Sequence, residues 1–281
     1  MRPDYLVIGH VTRDIQRDGS ILPGGTVTYA ALTARNLGRH VGVVTSCADD
    51  IRLDSVLQGV EVIRWPAEAT TTFENVYLNG RREQYVRAVA SPLRPEHIPE
   101  KWREVPLVHL GPLVMEVASE LVDAFPRALI GVTPQGWMRR WDASGLVSTT
   151  PWESAHRILA RADVLILSED DTGGDRTVLD SYLKMARLGV VTDGRHGAVV
   201  CTASGRRSLP AYQVEEVDPT GAGDVFAAAY LTALTQDRDP YRAAQFANAV
   251  ASFSVEARGL AGIPLLSQVQ ERLAHGVLRT D

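Results

Sequence analysis

Short runs of apolar and β-branched residues recur along the chain, and most of them are continuous instead of alternating with polar residues. Continuous apolar strands are typical of a parallel sheet that helices cover on both faces. Segments of helical length separate several runs; residues 26–38, for example, place Val27, Ala31 and Ala34 at helical spacing. The alternation predicts an α/β fold, a three-layer α/β/α sandwich around a mostly parallel sheet. The predicted strands are Tyr5–Gly9, Val41–Thr45, Leu107–Gly111, Leu129–Val132, Val164–Leu167 and Val190–Thr192.

Residues 71–89 break this rhythm, because polar and apolar residues alternate there with a period of two around Asn79-Gly80. Asn-Gly tolerates positive φ at both turn positions, so the segment predicts a β-hairpin that forms a small lid. No repeat or linker interrupts the chain, which indicates one domain over residues 1–281. After Tyr212 the pattern is helical, and the predicted helices are Thr220–Thr235, Pro240–Glu256 and Ser267–Leu278.

The composition excludes several classes of protein. The chain has 281 residues and a formal net charge of -5, which argues against a general nucleic-acid binder. No apolar stretch reaches the length of a membrane span, so we expect no membrane partner. Cys47 and Cys201 lie in apolar runs, which predicts buried, reduced thiols. The first residues are typical of a strand and not of a signal peptide, so we expect a cytoplasmic protein.

The stretch VDPTGAGDVFAAAYL places a carboxylate, Asp224, in the first turn of an apolar helix. Thr220 is a good candidate for the N-cap, and residues 221–223 can expose consecutive backbone N–H groups, which attract anions. An ionised Asp224 could accept a proton from a hydroxyl while these amides hold the negative charge of a phosphoryl group. Alternatively, Asp224 only complements the helix dipole, as many acids in a first turn do. The spacing alone leaves both interpretations open.

DPTGAGD and the alanine-rich helix after it resemble the C-terminal signature of the ribokinase-like, or PfkB, family of carbohydrate kinases. Four further stretches match this family in the expected order: GHVTRDI, PGGTVTYAA, VVTDGRHGA and QFANAVAS. The resemblance therefore spans nearly the whole chain. It implies an ATP-dependent kinase of a small sugar or cyclic polyol, with Mg²⁺ bridging the ATP phosphates. Relatives often also use a monovalent cation near the signature loop.

The resemblance also implies roles for individual residues. Asp224 is the expected catalytic base, and the amides of Gly221, Ala222 and Gly223 are the expected anion hole. Substrate binding is implied for Asp14, Gly24 and Gly25. Nucleotide binding is implied for Thr192, Gly194, Gly197, Thr220 and Asn248.

One residue, Tyr29, and one motif, SEDD, depart from the family pattern near the expected ligands. Tyr29 stands four residues after Gly25, where the family usually has Asn, so an aromatic ring either changes the floor of the substrate pocket or packs against the ligand. The family motif Asn-x-x-Glu is SEDD here. Ser168 replaces the Asn on the nucleotide side, and Asp171 replaces the Glu. We expect Asp171 to hold Mg²⁺ through water, because this ion keeps several of its waters.

A third departure lies in TPQGWMRRW. Many relatives have Asp, Asn and Arg at the positions of Thr133, Gln135 and Trp137. We expect Gln135 to hydrogen-bond phosphate or substrate. The missing cation could come from Arg139 or Arg140, and Trp137 could serve only in packing.

The hairpin sequence, the Ser of SEDD and the Pro of DPTGAGD together resemble the branch that contains plant-type myo-inositol kinases. This looser resemblance makes myo-inositol or a furanose-type sugar the first candidate acceptor. Two alternatives remain open: a nucleoside kinase of the same fold, with Phe73, Tyr77 and Tyr85 as lid aromatics, and a catalytically silent ligand-binding or regulatory protein. The expected partners are a small sugar or polyol and ATP, and a homodimer through the lid is left open. The sequence identifies neither the acceptor nor the hydroxyl that is phosphorylated.

Overall fold

The computed structural model describes residues 2–78 and 81–280. Its fifteen described strands are β1 (Tyr5–Ile8), β2 (Thr12–Ile15), β3 (Ile21–Gly24), β4 (Val41–Cys47), β5 (Glu61–Pro66), β6 (Thr72–Leu78), β7 (Arg81–Ala88), β8 (Leu107–Leu110), β9 (Leu129–Val132), β10 (Arg139–Trp141), β11 (Val147–Thr149), β12 (Val164–Ser168), β13 (Gly189–Thr192), β14 (Ala198–Thr202) and β15 (Gly205–Leu209). The described α-helices are α1 (Thr26–Asn36), α2 (Leu53–Val56), α3 (Ala155–Arg161), α4 (Arg176–Met185), α5 (Ala222–Asp237), α6 (Pro240–Ser254) and α7 (Leu266–His275).

Nine strands form the central sheet, in the order β15-β14-β13-β12-β9-β8-β1-β4-β5. All neighbours from β13 to β5 are parallel, and β14 and β15 extend the sheet with antiparallel pairs. The apolar runs are continuous because the sheet is buried on both faces: one core includes residues of α1, α5 and α6, and a second includes residues of α3 and α4. The predicted three-layer sandwich is confirmed, and each of the six predicted strands is present with small shifts at its ends.

The lid is larger than the sequence predicts. β6 and β7 form the expected antiparallel hairpin, but β2 and β3 join them in a four-stranded sheet in the order β3-β2-β6-β7. The Asn79-Gly80 turn lies outside the described residues. β2 and β3 are four residues long and contain charged residues or proline, so they lack the apolar run that marked the central strands.

The three predicted helices are present with shifted ends, and the start of α5 and the end of α7 bear on the site. α5 begins at Ala222 with Gly221 as its N-cap in the left-handed conformation, so the predicted Thr220 cap is wrong. α7 ends at His275, and the chain then extends: Leu278 forms an antiparallel bridge with Tyr212. The predicted helix Ser267–Leu278 is therefore wrong over its last three residues, the first of which is Gly276, a residue type that favours ending a helix. No helix within residues 2–78 and 81–280 is long and apolar enough to cross a membrane.

Candidate active site

One cleft of about 710 Å³ lies along the carboxyl ends of the central strands, where open α/β sheets bind ligands. Every predicted site residue except Gly24 lines it, so the structure brings together motifs that are up to about two hundred residues apart. The lid closes one side, where Phe73, Asn75 and Gln84 face the cleft. Residues of the β13–β14 turn and of α6 line the opposite side.

Asp14 and the glycine pair form the end of the cleft beside the lid. Asp14 lies in β2, where it is paired with Phe73 of the hairpin, so the lid and the predicted substrate carboxylate share one small sheet. The Thr12 hydroxyl donates to Asp14 Oδ1 over 2.9 Å. Gly24 lies behind the carboxylate: a Cβ on Gly24 would stand 2.2 Å from Asp14 Oδ2. Gly24 therefore makes room for Asp14 instead of lining the cleft, whereas Gly25 is the N-cap of α1 and lines it.

Asp224 lies half-buried in the first turn of α5, as the signature predicts. Burial raises its pKa to about 6. A hydrogen bond from Thr26 and the charge of Arg139 lower this value, and Asp171 and Asp14 raise it. A carboxylate with a pKa near the working pH is suited to general-base catalysis. Thr26 was missed by the sequence analysis, although its place directly after the glycine pair, at the start of a helix, could have indicated it.

The loop before Asp224 matches only part of the predicted anion hole. Gly221 has φ +79°, and a Cβ there would approach the Tyr29 ring to 2.4–2.6 Å, so no other residue fits without displacing the ring. The Ala222 amide donates to the Pro219 carbonyl over 3.2 Å. Ala222 is therefore engaged in a turn in this structure, and its role in the anion hole stays a prediction. Gly221 and Gly223 remain as the expected amide donors.

Tyr29 packs against this loop as part of the pocket floor. Its side chain is 4% exposed, and burial, together with the nearby Asp14 and Asp224 carboxylates, raises its pKa well above the usual value. Its hydroxyl is thus protonated at physiological pH. Of the two interpretations offered for this departure, a changed pocket floor is the one that the geometry supports, because the ring packs against Gly221.

Asp218 and Thr220 fix the same loop from the other side. Asp218 accepts hydrogen bonds from the Thr220 amide (3.0 Å) and the Gly259 amide (3.1 Å). Burial raises the pKa of Asp218, but these bonds and the charge of Arg258 outweigh it, and the pKa lies below its usual value. Thr220 thus lines the cleft as part of a loop held by an ionised carboxylate.

Three residues from two of the departures from the family pattern, SEDD and TPQGWMRRW, form one hydrogen-bonded group. Gln135 Nε2 donates to Asp171 Oδ1 over 2.8 Å, and the Ser168 amide and hydroxyl donate to Asp171 Oδ2 over 2.8 and 3.1 Å. One N–H of the Gln135 amide is thus used by Asp171, and the second N–H and the carbonyl oxygen are left for a ligand, so its binding to phosphate or substrate stays a prediction. The group fixes Asp171 on the cleft wall.

In the third departure, TPQGWMRRW, Thr133 has a neutral hydrogen-bond partner and Trp137 serves in packing. Thr133 Oγ1 lies 3.0 Å from Nε2 of the buried His109, whose pKa burial lowers to about 3. Trp137 donates to the Val117 carbonyl and stacks on Trp152 at 5.3 Å, so it serves in packing. Of the two candidate arginines, Arg139 lines the cleft, 5.7 Å from the centre of the Phe73 ring, whereas Arg140 does not line it.

The residues predicted to bind a nucleotide line the end of the cleft opposite Asp14. Asn248 is buried, and its Nδ2 donates to the carbonyls of Leu209 and Pro210 over 3.0 and 3.1 Å. Both of its N–H groups are thus used, and a direct bond from them to adenine is ruled out in this arrangement. Thr192 lines the cleft with Gly194 and Gly197, at the turn that follows β13.

The comparisons with known proteins agree with this geometry. Residues 148–266 match the model of the pfkB family carbohydrate kinases. A cytidine kinase of Thermococcus kodakarensis is 28% identical over 262 residues, which cover 84% of this chain and 90% of the relative. A pyrophosphate-dependent kinase of the ribokinase family superposes with a TM-score of 0.79 at 26% identity, over 95% of this chain and 99% of the other. The complex of a pyrophosphate-dependent kinase of that family with a pyrophosphate analog and myo-inositol gives a TM-score of 0.76 at 25% identity, over the same shares of both chains.

The fold and the cleft define a kinase that phosphorylates small molecules. Residues 148–266 match the pfkB family carbohydrate kinases, and the fold of the whole chain is similar to that of kinases of the ribokinase family.

Proposed function

We propose that this kinase transfers a phosphoryl group from ATP to a hydroxyl of a small sugar or cyclic polyol, with myo-inositol as the first candidate. The observation that carries the proposal is the cleft itself. Asp14 and the lid line one end, and the turn after β13, with Thr192, Gly194 and Gly197, lines the other. Asp224 lies at the start of α5 with a pKa raised to about 6. The structural neighbour that binds myo-inositol supports the choice of acceptor.

In the proposed reaction, Asp14 accepts hydrogen bonds from acceptor hydroxyls and orients the molecule. Asp224 accepts the proton of the reacting hydroxyl as its oxygen attacks the terminal phosphorus of ATP. The new O–P bond forms while the bond to the ADP oxygen breaks, and ADP leaves with that electron pair. The amides of Gly221 and Gly223 and the charge of Arg139 stabilise the negative charge on the transferred group. The lid excludes water from the acceptor.

The residues around Asp171 fit a magnesium ion that is held through its waters. Within the described residues, no group of three or more His, Cys, Asp or Glu side chains could form a direct cage for a metal. Asp171 is instead a fixed carboxylate beside Glu169 and Asp170 on the cleft wall, which suits an ion bound mainly by phosphates and water. When bound, Mg²⁺ would neutralise the donor phosphates. The ionised Asp218 makes the signature loop a candidate place for a monovalent cation.

Pyrophosphate is a second candidate donor. Two structures of pyrophosphate-dependent kinases, at 26% and 25% identity, superpose on 95% of this chain. The acceptor chemistry would be unchanged, and phosphate would leave in place of ADP.

A nucleoside is the alternative acceptor, supported by the cytidine kinase relative. The lid argues for the smaller acceptor. Among its described side chains, Phe73 is the aromatic one that lines the cleft, while the Tyr85 hydroxyl donates to Glu83 over 3.0 Å. A base would therefore lack a pair of lid aromatics to stack between. The exposed Ile21 and Leu22 on the edge strand β3 favour the homodimer through the lid that the sequence leaves open, and sedimentation analysis would test it.

The test is a matrix of donors and acceptors. ATP and pyrophosphate are each incubated with inositols, furanose and pyranose sugars, and nucleosides, and donor consumption is measured with and without acceptor. We expect consumption with ATP that depends on a polyol or sugar, and a phosphomonoester product by mass spectrometry. Consumption only with pyrophosphate would replace the donor, and a preference for nucleosides would replace the acceptor. Donor binding without any acceptor-dependent turnover would instead favour a silent ligand-binding protein.

A further inference from the structure

The C-terminal tail, residues 276–280, lies against the donor end of the cleft. The Gln213 amide donates to the Val277 carbonyl over 2.8 Å, and the Arg279 amide donates to the Ala211 carbonyl over 2.9 Å. These two bonds flank the bridge between Tyr212 and Leu278. Because they hold the tail at both sides of the bridge, the positions of residues 277–279 are fixed relative to the cleft.

Successive side chains of an extended strand point to opposite faces. Leu278 is 44% exposed and does not line the cleft, whereas Arg279 does. The Arg279 guanidinium makes one long hydrogen bond, from Nη2 to the Val214 carbonyl over 3.4 Å. Within residues 2–78 and 81–280, its buried Nε has no hydrogen-bond partner and no carboxylate forms an ion pair with it. The side chain therefore places a positive charge with unused donors in the cleft wall.

A guanidinium presents its donors in a planar fork that matches the oxygens of a phosphate. Arg279 lies beside Tyr212 and Val214, which also line the cleft. Just before Tyr212 in the chain, the carbonyls of Leu209 and Pro210 accept hydrogen bonds from Asn248, a residue predicted to bind the nucleotide. The acceptor carboxylate Asp14 belongs to the lid at the other end. The charge of Arg279 is thus available to the donor and not to the acceptor.

We propose that Arg279 binds a phosphate group of the phosphoryl donor, on the side away from the transferred phosphoryl. The C-terminal tail is then part of the active site. This inference rests on the proposed function, because it assumes that a phosphate donor occupies this end of the cleft. It applies to ATP and to pyrophosphate alike, since both carry a phosphate beyond the one transferred.

The test uses the full chain with Arg279→Gln, which removes the charge and keeps most of the length of the side chain. Leu278→Ala is the matched control, because it alters the same tail on its other face. Dissociation constants for ATP and for pyrophosphate are measured separately by calorimetry without acceptor, and steady-state kinetics are measured with acceptor. We expect Arg279→Gln to weaken donor binding about tenfold to a hundredfold, the usual weight of a hydrogen bond to a charged group. The acceptor KM and the melting temperature should stay unchanged, and Leu278→Ala should bind the donor normally.

Unchanged donor affinity in Arg279→Gln overturns the inference, while acceptor-dependent turnover by the wild type would leave the proposed function intact. An equal loss in Arg279→Gln and Leu278→Ala also overturns it, because the tail would then act through packing alone. Failure of the wild type to bind either donor overturns both proposals. A loss with both donors supports a contact with the phosphate next to the transferred one. A loss confined to ATP overturns the inference as stated, because Arg279 would then contact a part of ATP that pyrophosphate lacks.

Discussion

Replacing Thr26 by valine removes the hydroxyl that hydrogen-bonds to the Asp224 carboxylate and keeps the shape of the side chain. The bond stabilises the ionised form of Asp224, so its loss raises the pKa above the present value of about 6. Asp224 acts as a base only when it is ionised. The acid limb of the pH profile should therefore move to higher pH in Thr26→Val.

The size of the shift follows from the bond. A hydrogen bond to a charged group contributes roughly 1.5–3 kcal/mol, and one pKa unit corresponds to about 1.4 kcal/mol. Water that enters the cleft replaces part of the lost bond, so we expect a shift of about one unit. The apparent pKa of kcat/KM should rise from about 6 to about 7. Above pH ~8 the kcat/KM of the variant should approach that of the wild type, since Asp224 is then ionised in both proteins.

The assay is kcat/KM for the acceptor from pH 5 to 9 at saturating donor, in wild type, Thr26→Val and Thr26→Ser. Serine keeps the hydroxyl and should keep the wild-type profile. Thr26 is buried near Gly111, so melting temperatures are measured in parallel. A Thr26→Val profile that is lower at every pH, with an unmoved acid limb, would refute the assignment of that limb to Asp224.

Three further predictions test other parts of the site. Asp14→Ala should raise the acceptor KM about tenfold or more by removing charged hydrogen bonds; an increase in the donor KM instead would reverse the two ends of the cleft. Gly221→Ala should lower both kcat and the melting temperature, because its Cβ would meet the Tyr29 ring at 2.4–2.6 Å and φ is +79°; normal values for both would contradict the packing described. Asp224→Asn should raise the free energy of unfolding by about 1–2 kcal/mol at pH 8, because ionising a carboxyl whose folded pKa is raised destabilises the fold. That gain should vanish at about pH 3 and below, where Asp224 is protonated in both states because its ordinary pKa is 3.8, and chemical unfolding at about pH 8 and pH 3 checks it.

The six inner strands of the central sheet, β13 to β4, could be predicted because they are buried on both faces, which leaves a continuous apolar run in the sequence. The outer strands β5, β14 and β15 were not predicted, because their residues are partly exposed and the apolar run is interrupted. The lid strands β2 and β3 could not be predicted, because they are short, half-exposed and carry charged residues or proline. The last turn predicted for α7 failed for a different reason. Val277 and Leu278 continue the apolar pattern, but tertiary hydrogen bonds to residues 211–213 hold them as an extended tail.

The sequence predicted which residues line the candidate site, but it did not predict which hydrogen bonds they form with one another. The resemblance of the motifs, in their order, was enough to predict that Asp14, Asp224 and the turn after β13 line one cleft. It could not indicate that Gln135 is bonded to Asp171, or that Asn248 is used by backbone carbonyls, because these partners are far apart in sequence. Such contacts depend on how separate elements pack, which no local pattern records.

The most direct test of the central claim compares wild type with Asp224→Asn in acceptor-dependent phosphoryl transfer and in donor binding. The account predicts that the variant loses about 10²–10⁴-fold in kcat, the usual contribution of a general base. Its dissociation constant for the donor should stay within about twofold or tighten slightly, because a negative charge near the phosphates is removed. Near-wild-type turnover in Asp224→Asn would contradict the account and would leave Asp224 as a complement to the dipole of α5.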